Sequence, residues 1–290
     1  MKKTVGVFFL LIMISFGYSI DLKSKVININ KNIDIHYYQT ISDKAKPNLI
    51  MLTGRGTTTN FWPKDFIDKL SEKYNLYILD YRNINTKNTS SVSYAIKDTA
   101  IDVDKFVKKL NISNPYLLGW SMGGAIAIET VSDYPKDFSH LILLSPALPK
   151  TSTQKIPKPP KFKTDDDIYN YVFNINLYNY SKENLDVERN RFINSDIKQL
   201  FPSNDVLARQ ITGVTKWRAD DDNLEKFKQI KIPIDIYISL DDKIERVNQI
   251  KATITEVKDQ KRIKVKYFKN SGHAIAWDQA QKLADNINNL

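Results

Sequence analysis

Gly119-Trp120-Ser121-Met122-Gly123-Gly124 is the stretch that decides the fold. Its first two residues end an apolar run from Pro115 that reads as a buried strand, and its last opens a helix to Tyr134, stopped before Pro135. A strand that turns sharply into a helix forces the corner residue into strained dihedrals. Side chains two positions to either side would collide there, and glycine stands at both. The Ser121 hydroxyl then stands clear at the carboxyl edge of a sheet. The Met122 N–H opens the helix and points at any anion that develops beside the serine. The Gly-x-Ser-x-Gly pattern alone is common; a strand before it and a helix after it make it specific.

The same alternation extends in both directions. Asn48 to Leu52, Leu76 to Leu79, Leu141 to Leu144, Ile234 to Leu240 and Ile263 to Phe268 read as strands, and Ile33 to Tyr38 as an early, partly alternating one. Phe66 to Tyr74, Ala95 to Leu110, Val247 to Ile254 and Ile275 to Leu290 read as helices. Strands alternating with helices predict an α/β fold, a mostly parallel sheet covered by helices on both faces. No repeat and no long Gly/Ser linker interrupts it. The alternation breaks once, over residues 150–231, a stretch too long for a plain loop. It opens with Pro157, Pro159 and Pro160 and carries Tyr169, Tyr171, Phe173, Tyr178, Tyr180, Phe192, Phe201 and Trp217. It reads as an inserted, mostly helical subdomain. Its aromatics either pack onto the main domain or line a pocket beneath.

Composition narrows the chemistry. The 290 residues are 42% hydrophobic and 26% charged, which is globular and excludes a disordered or multi-span membrane chain. With no cysteine there is no disulfide, thiolate metal site or cysteine nucleophile. Three histidines, His36, His140 and His273, leave little room for a multi-histidine metal centre. The net charge of +10 is scattered among acids, with no basic block to grip a nucleic acid. Asp165 to Asp167 and Asp220 to Asp222 lack a glycine-bearing calcium loop and read as solvated faces or helix starts. Seven of the nine glycines lie beyond residue 19, and six of those seven fall in Thr53-Gly54-Arg55-Gly56, in the Ser121 turn or next to His273. These places follow strand ends, where open α/β sheets bind ligands. At the start, Lys2 and Lys3, an apolar run from Thr4 to Phe16 and Gly17-Tyr18-Ser19 have the layout of a signal peptide, residues 1–19. Export to the periplasm or medium is expected, the alternative being an inner-membrane anchor formed by residues 4–20.

The chain resembles the α/β-hydrolase superfamily from Ile33 to Leu290, in the motif order Ser…Asp…His, with an esterase- and lipase-like wording of the serine turn. The resemblance implies a core of residues 20–149 and 232–290 and a cap at 150–231. It places the nucleophile at Ser121, the acid in Ser239-Leu240-Asp241-Asp242-Lys243-Ile244 and the base in Asn270-Ser271-Gly272-His273-Ala274. The family register favours Asp242 over Asp241. His36, in a strand that ends away from the serine, and His140, which precedes a strand, drop out, so elimination also leaves His273. Thr53-Gly54 replaces the family's His-Gly, and the backbone N–H of Arg55 inherits the second oxyanion contact beside that of Met122. Asp80-Tyr81-Arg82-Asn83 resembles a loop that ends in glycine, and Asp80 reads as a brace rather than a catalytic acid.

The implied activity is hydrolysis of a carboxylic ester by a serine hydrolase through an acyl-enzyme, with no cofactor and no metal. The implied partner is a small-molecule acyl ester, with no nucleic acid, and with membrane contact only through an uncleaved N-terminal segment. Another acyl bond, a thioester, lactone or amide, stays open, as does a non-catalytic binding protein on the same fold.

Overall fold

The computed structural model describes residues 22–40, 42–155, 161–184, 201–257 and 261–290. An eight-stranded sheet is built from β1 (Lys23–Asn30), β2 (Ile33–Gln39), β3 (Asn48–Leu52), β4 (Asn75–Leu79), β5 (Tyr116–Trp120), β6 (His140–Leu144), β7 (Ile234–Ser239) and β8 (Ile263–Phe268). The strand order is β1-β2-β4-β3-β5-β6-β7-β8. The first two pairings, β1 with β2 and β2 with β4, are antiparallel, and every later one is parallel. The strands from β3 to β7 are buried along nearly their whole length, as continuous apolar runs require. Both edges carry charge: Lys23 and Lys25 on β1, Lys264 and Lys266 on β8. Such residues keep open edges from pairing with other chains.

The pleat divides the core into two layers. Ile50, Leu52, Leu117, Leu141 and Leu143 face one layer, and Leu49, Met51, Leu118, Ile142 and Leu144 the other. The first layer is closed by α2 (Ile96–Lys109), α3 (Met122–Asp133), α6 (Asp222–Gln229) and α7 (Val247–Val257). The second is closed by α1 (Lys64–Ser71), α8 (Ile275–Asp278) and α9 (Ala280–Asn288). α3 is buried from Met122 to Val131, so it reads as apolar all round rather than amphipathic. The closing helix expected from Ile275 onward is two helices, broken at Gln279.

Between β6 and β7 lie α4 (Asp165–Asn176) and α5 (Asn204–Ala219), followed by α6. Asp165 to Asp167 form the first turn of α4, where Thr164 and Asp167 make a reciprocal capping box. The aromatics of this stretch divide as follows. Phe173 and Tyr169 join the second core layer and Trp217 the first. Phe173 packs against Trp277 with ring centroids 5.3 Å apart, so it is core. Phe192 lies outside the described residues.

Candidate active site

Ser121 occupies the corner between β5 and α3 with φ 56° and ψ −120°, a conformation that only a tightly determined surrounding sustains. The glycines show why. A Cβ on Gly119 would sit 2.2 Å from the carbonyl oxygen of Gly123, and one on Gly123 would sit 2.5 Å from that of Leu52. Three hydrogen bonds pin the corner: Ser121 N–H donates to Leu144 O at 3.1 Å, and Gly124 N–H and Ala147 N–H each donate to Ser121 O at 2.9 Å. Gly119→Ala is therefore expected to cost roughly 3 kcal/mol or more, as overpacking against fixed backbone does. A drop in the urea midpoint with loss of the site's reactivity is the measurement; an unchanged midpoint would show that the corner can relax.

The loop after β7 and the loop after β8 meet at this corner. His273 Nε2 lies 2.8 Å from Ser121 Oγ, and His273 Nδ1 lies 2.8 Å from Asp242 Oδ2. The three side chains are buried, at 8% exposure for Ser121, 2% for His273 and 5% for Asp242. An ionised carboxylate only accepts, so Nδ1–H donates to Asp242 and Nε2 is left to accept the serine proton. Asp242 is itself fixed: its Oδ1 accepts the N–H groups of Ile244 at 2.7 Å and Glu245 at 2.8 Å. The imidazole is packed against Trp120, whose Nε1–H donates to His273 O at 2.9 Å.

Asp241 is exposed, yet it is not merely solvated. Its Oδ2 accepts the N–H of Asn270 at 2.8 Å and ties the two loops together. Asp278 does the same from α8, accepting Gly272 N–H at 2.7 Å and Tyr178 N–H at 3.1 Å. Ser145, Ser239 and Ser271 link the tips of β6, β7 and the histidine loop through their hydroxyls, at 3.1 and 2.9 Å. A lone aspartate three residues into a helix, or a serine past a strand, has no pattern of its own.

The loop after β3 completes the site. The Gly54 Cα rests on the Trp120 ring, where a Cβ would approach to 2.8 Å. No acceptor among the described residues takes the N–H of Arg55 or of Met122. In place of a histidine at position 53, the loop is held by Tyr81 Oη donating to Thr53 O at 2.5 Å, and by Thr57 Oγ1 donating to Gly54 O at 2.9 Å. From α5, Gln210 Oε1 accepts Gly56 N–H at 2.8 Å. Asp80 braces the far end: it accepts Thr59 N–H at 2.7 Å and Asn85 Nδ2–H at 2.7 Å, and pairs with His36 Nδ1 at 2.7 Å. β2 does end at the opposite edge, but it runs antiparallel, so His36 itself reaches the carboxyl edge and serves as a support there. His140 pairs with Asp235 at 2.8 Å, away from the serine. Asn83 takes φ 60°, the left-handed conformation that a glycine would adopt more easily and asparagine tolerates.

The stretch between β6 and β7 is fastened to this frame. A Cβ on Gly213 of α5 would sit 2.2 Å from Tyr94 O. Trp217 Nε1–H donates to Glu129 Oε2 at 3.0 Å, and Arg218 donates to Glu245 Oε2 at 2.9 Å. At the end of α4, Asn176 O accepts the N–H of Ala274, next to the histidine, at 2.9 Å.

A mostly parallel sheet with a strained serine on a strand-to-helix corner, faced by a histidine and an aspartate from later strand ends, defines a class. Residues 47–280 match the alpha/beta hydrolase fold, and the chain belongs to that family. It is similar to the pimeloyl-[acyl-carrier protein] methyl ester esterase of Wigglesworthia glossinidia brevipalpis, 28% identical over 217 residues, 71% of this chain and 79% of that protein. It is also similar to the 1-acylglycerol-3-phosphate O-acyltransferase of Arabidopsis thaliana, 30% identical over 121 residues and 38% of this chain. That match spans 28% of the plant protein's length, and the match to its rice counterpart spans 27%. Among solved structures, a serine hydrolase of Cycloclasticus zankles superposes with a TM-score of 0.72 at 14% identity, covering 92% of this chain and 97% of that one. At that identity the likeness is one of fold.

Proposed function

We propose that the protein is an exported serine hydrolase that cleaves a carboxylic ester through an acyl-enzyme intermediate. The observation that carries the reading is the continuous run from Asp242 through His273 to Ser121, with both contacts at 2.8 Å. Ser121 Oγ attacks the ester carbonyl carbon as His273 Nε2 takes its proton. The tetrahedral oxyanion is met by the N–H groups of Arg55 and Met122, each worth on the order of a hundredfold or more in such sites. Collapse breaks the bond to the alcohol, which leaves with the proton from His273. Water then repeats the steps on the acyl-enzyme and frees the acid. The esterase relative, named for a methyl ester, supports an ester as the bond cleaved. Covalent labelling of Ser121 by a fluorophosphonate probe tests the reading, and a panel of p-nitrophenyl esters from acetate to palmitate reads the acyl preference. A chain that takes no label would be a binding protein on this fold.

Residues 150–231 act in this reading as a cap that bounds the acyl pocket. Residues 1–19 act as a cleaved export signal and lie outside the described residues. Among the described residues no helix is long and apolar enough to cross a membrane. The mature chain is expected to begin near Ile20, read by N-terminal sequencing of protein from the periplasm or medium. Recovery only from membranes with Lys2 retained would favour the anchor.

A further inference from the structure

A cleft of about 390 Å³ has a mixed polar and apolar lining that carries three cationic side chains. Arg55, Lys150 and Arg218 reach it, with Thr151, Thr215 and Gln249 between them. Three connections tie its lining to the triad. Arg55 follows Gly54, which rests on Trp120. Ala147, whose N–H holds the Ser121 carbonyl, opens the loop that carries Lys150 and Thr151. Glu245, which accepts Arg218, donates its own N–H to Asp242.

The charges in this cleft do not cancel. Arg218 and Glu245 form a closed pair, at 8% and 1% exposure. Among the described residues Lys150 pairs only with Asp221, at 3.6 Å, on a carboxylate that is 86% exposed, and such surface pairs hold little. Arg55 is half-buried and has no carboxylate within ion-pair distance among the described residues. Burial, and after it the nearby Arg218 charge, press its pKa below the usual guanidinium value, with Glu245 pulling the other way. The group stays charged at neutral pH all the same. A partly desolvated cation beside another cation is relieved by an arriving anion, and a guanidinium fork suits a two-oxygen partner.

We propose that this cleft is a subsite for an anionic group, a carboxylate or a phosphate, carried by the substrate away from its scissile ester. The proposal rests on the ester-hydrolase reading of Ser121. The Arg55 backbone would then serve the reacting carbonyl while its side chain holds the remote anion, so one residue ties recognition to chemistry. Val214 and Ala219 offer an alkyl chain some apolar wall, but only an anion answers the two guanidinium groups and the ammonium.

The test compares kcat/KM for methyl hexanoate, monomethyl adipate and methyl 6-phosphonooxyhexanoate, with fluorophosphonate labelling run alongside. The wild type should favour one or both anionic esters by roughly tenfold to hundredfold, the size of one or two hydrogen bonds to charged groups. Which anion is preferred identifies its source. Arg55→Gln should erase the preference, and Lys150→Glu, a separate surface change, should reduce it. Equal turnover of neutral and anionic esters by a wild type that labels overturns the subsite alone. A preference that survives both substitutions also overturns it, since the anion would then bind elsewhere. A wild type that takes no label overturns the ester-hydrolase reading and the subsite together.

Discussion

Ser121→Ala is expected to abolish fluorophosphonate labelling and to lower ester turnover by roughly 10⁴-fold or more, the scale of triad deletions. The change removes one oxygen and leaves the corner intact. Alanine has the same Cβ as serine, so the φ of 56° is no harder to hold, and the glycine contacts that impose it are untouched. The thermal midpoint should therefore stay close to wild type while reactivity disappears. Labelling that persists in the mutant would mean that another nucleophile does the work, and the histidine contact at 2.8 Å would have to be explained as structural.

Adjacent aspartates provide the second large effect, because their substitutions should differ by orders of magnitude. Asp242→Asn keeps the shape but can present an N–H to His273 Nδ1, which favours the wrong tautomer. The serine-protease precedent puts that cost on the order of 10⁴ in turnover. The mutant amide must also keep accepting from Ile244 and Glu245 through its one oxygen, which makes the flipped orientation costly as well. Asp241→Asn retains an oxygen for the Asn270 N–H, so a few-fold loss is expected, in line with exposed polar changes. Kinetics of the two single mutants on one short ester decide the matter. A dead Asp241→Asn beside an active Asp242→Asn would mean that the loop rearranges in solution.

The parts of this architecture that could be read in advance are those where one residue type meets one physical demand. Buried parallel strands must be apolar throughout, so β3 to β7 announced themselves. The Ser121 corner needs glycine on both sides, and the contacts of 2.2 and 2.5 Å give the reason. β1 did not announce itself. Lys23 to Asn30 is mostly exposed, and a polar edge strand held by one neighbour has no strong hydrophobic period. The supports of the histidine were equally silent. Asp278 and Asn176 act through single bonds to backbone groups brought close only by the fold. Periodicity carries information about which face is buried, not about which loops will meet. The role of His36 required knowing that β2 runs antiparallel, which fixes the edge at which each of its residues emerges.

The fastening of α4 and α5 bears on how this protein could be re-engineered. An inserted segment is often treated as a module that can be exchanged between relatives to transfer specificity. Here a graft joined at residues 150 and 231 would remove Gln210, which holds Gly56, and Arg218, which pairs with Glu245. It would also remove the Asn176 carbonyl, which fixes the amide next to His273. Such a chimaera would lose reactivity along with its own selectivity, and the result would be mistaken for an incompatible substrate. Junctions at Tyr180 and Ser203 leave every one of these contacts with the host.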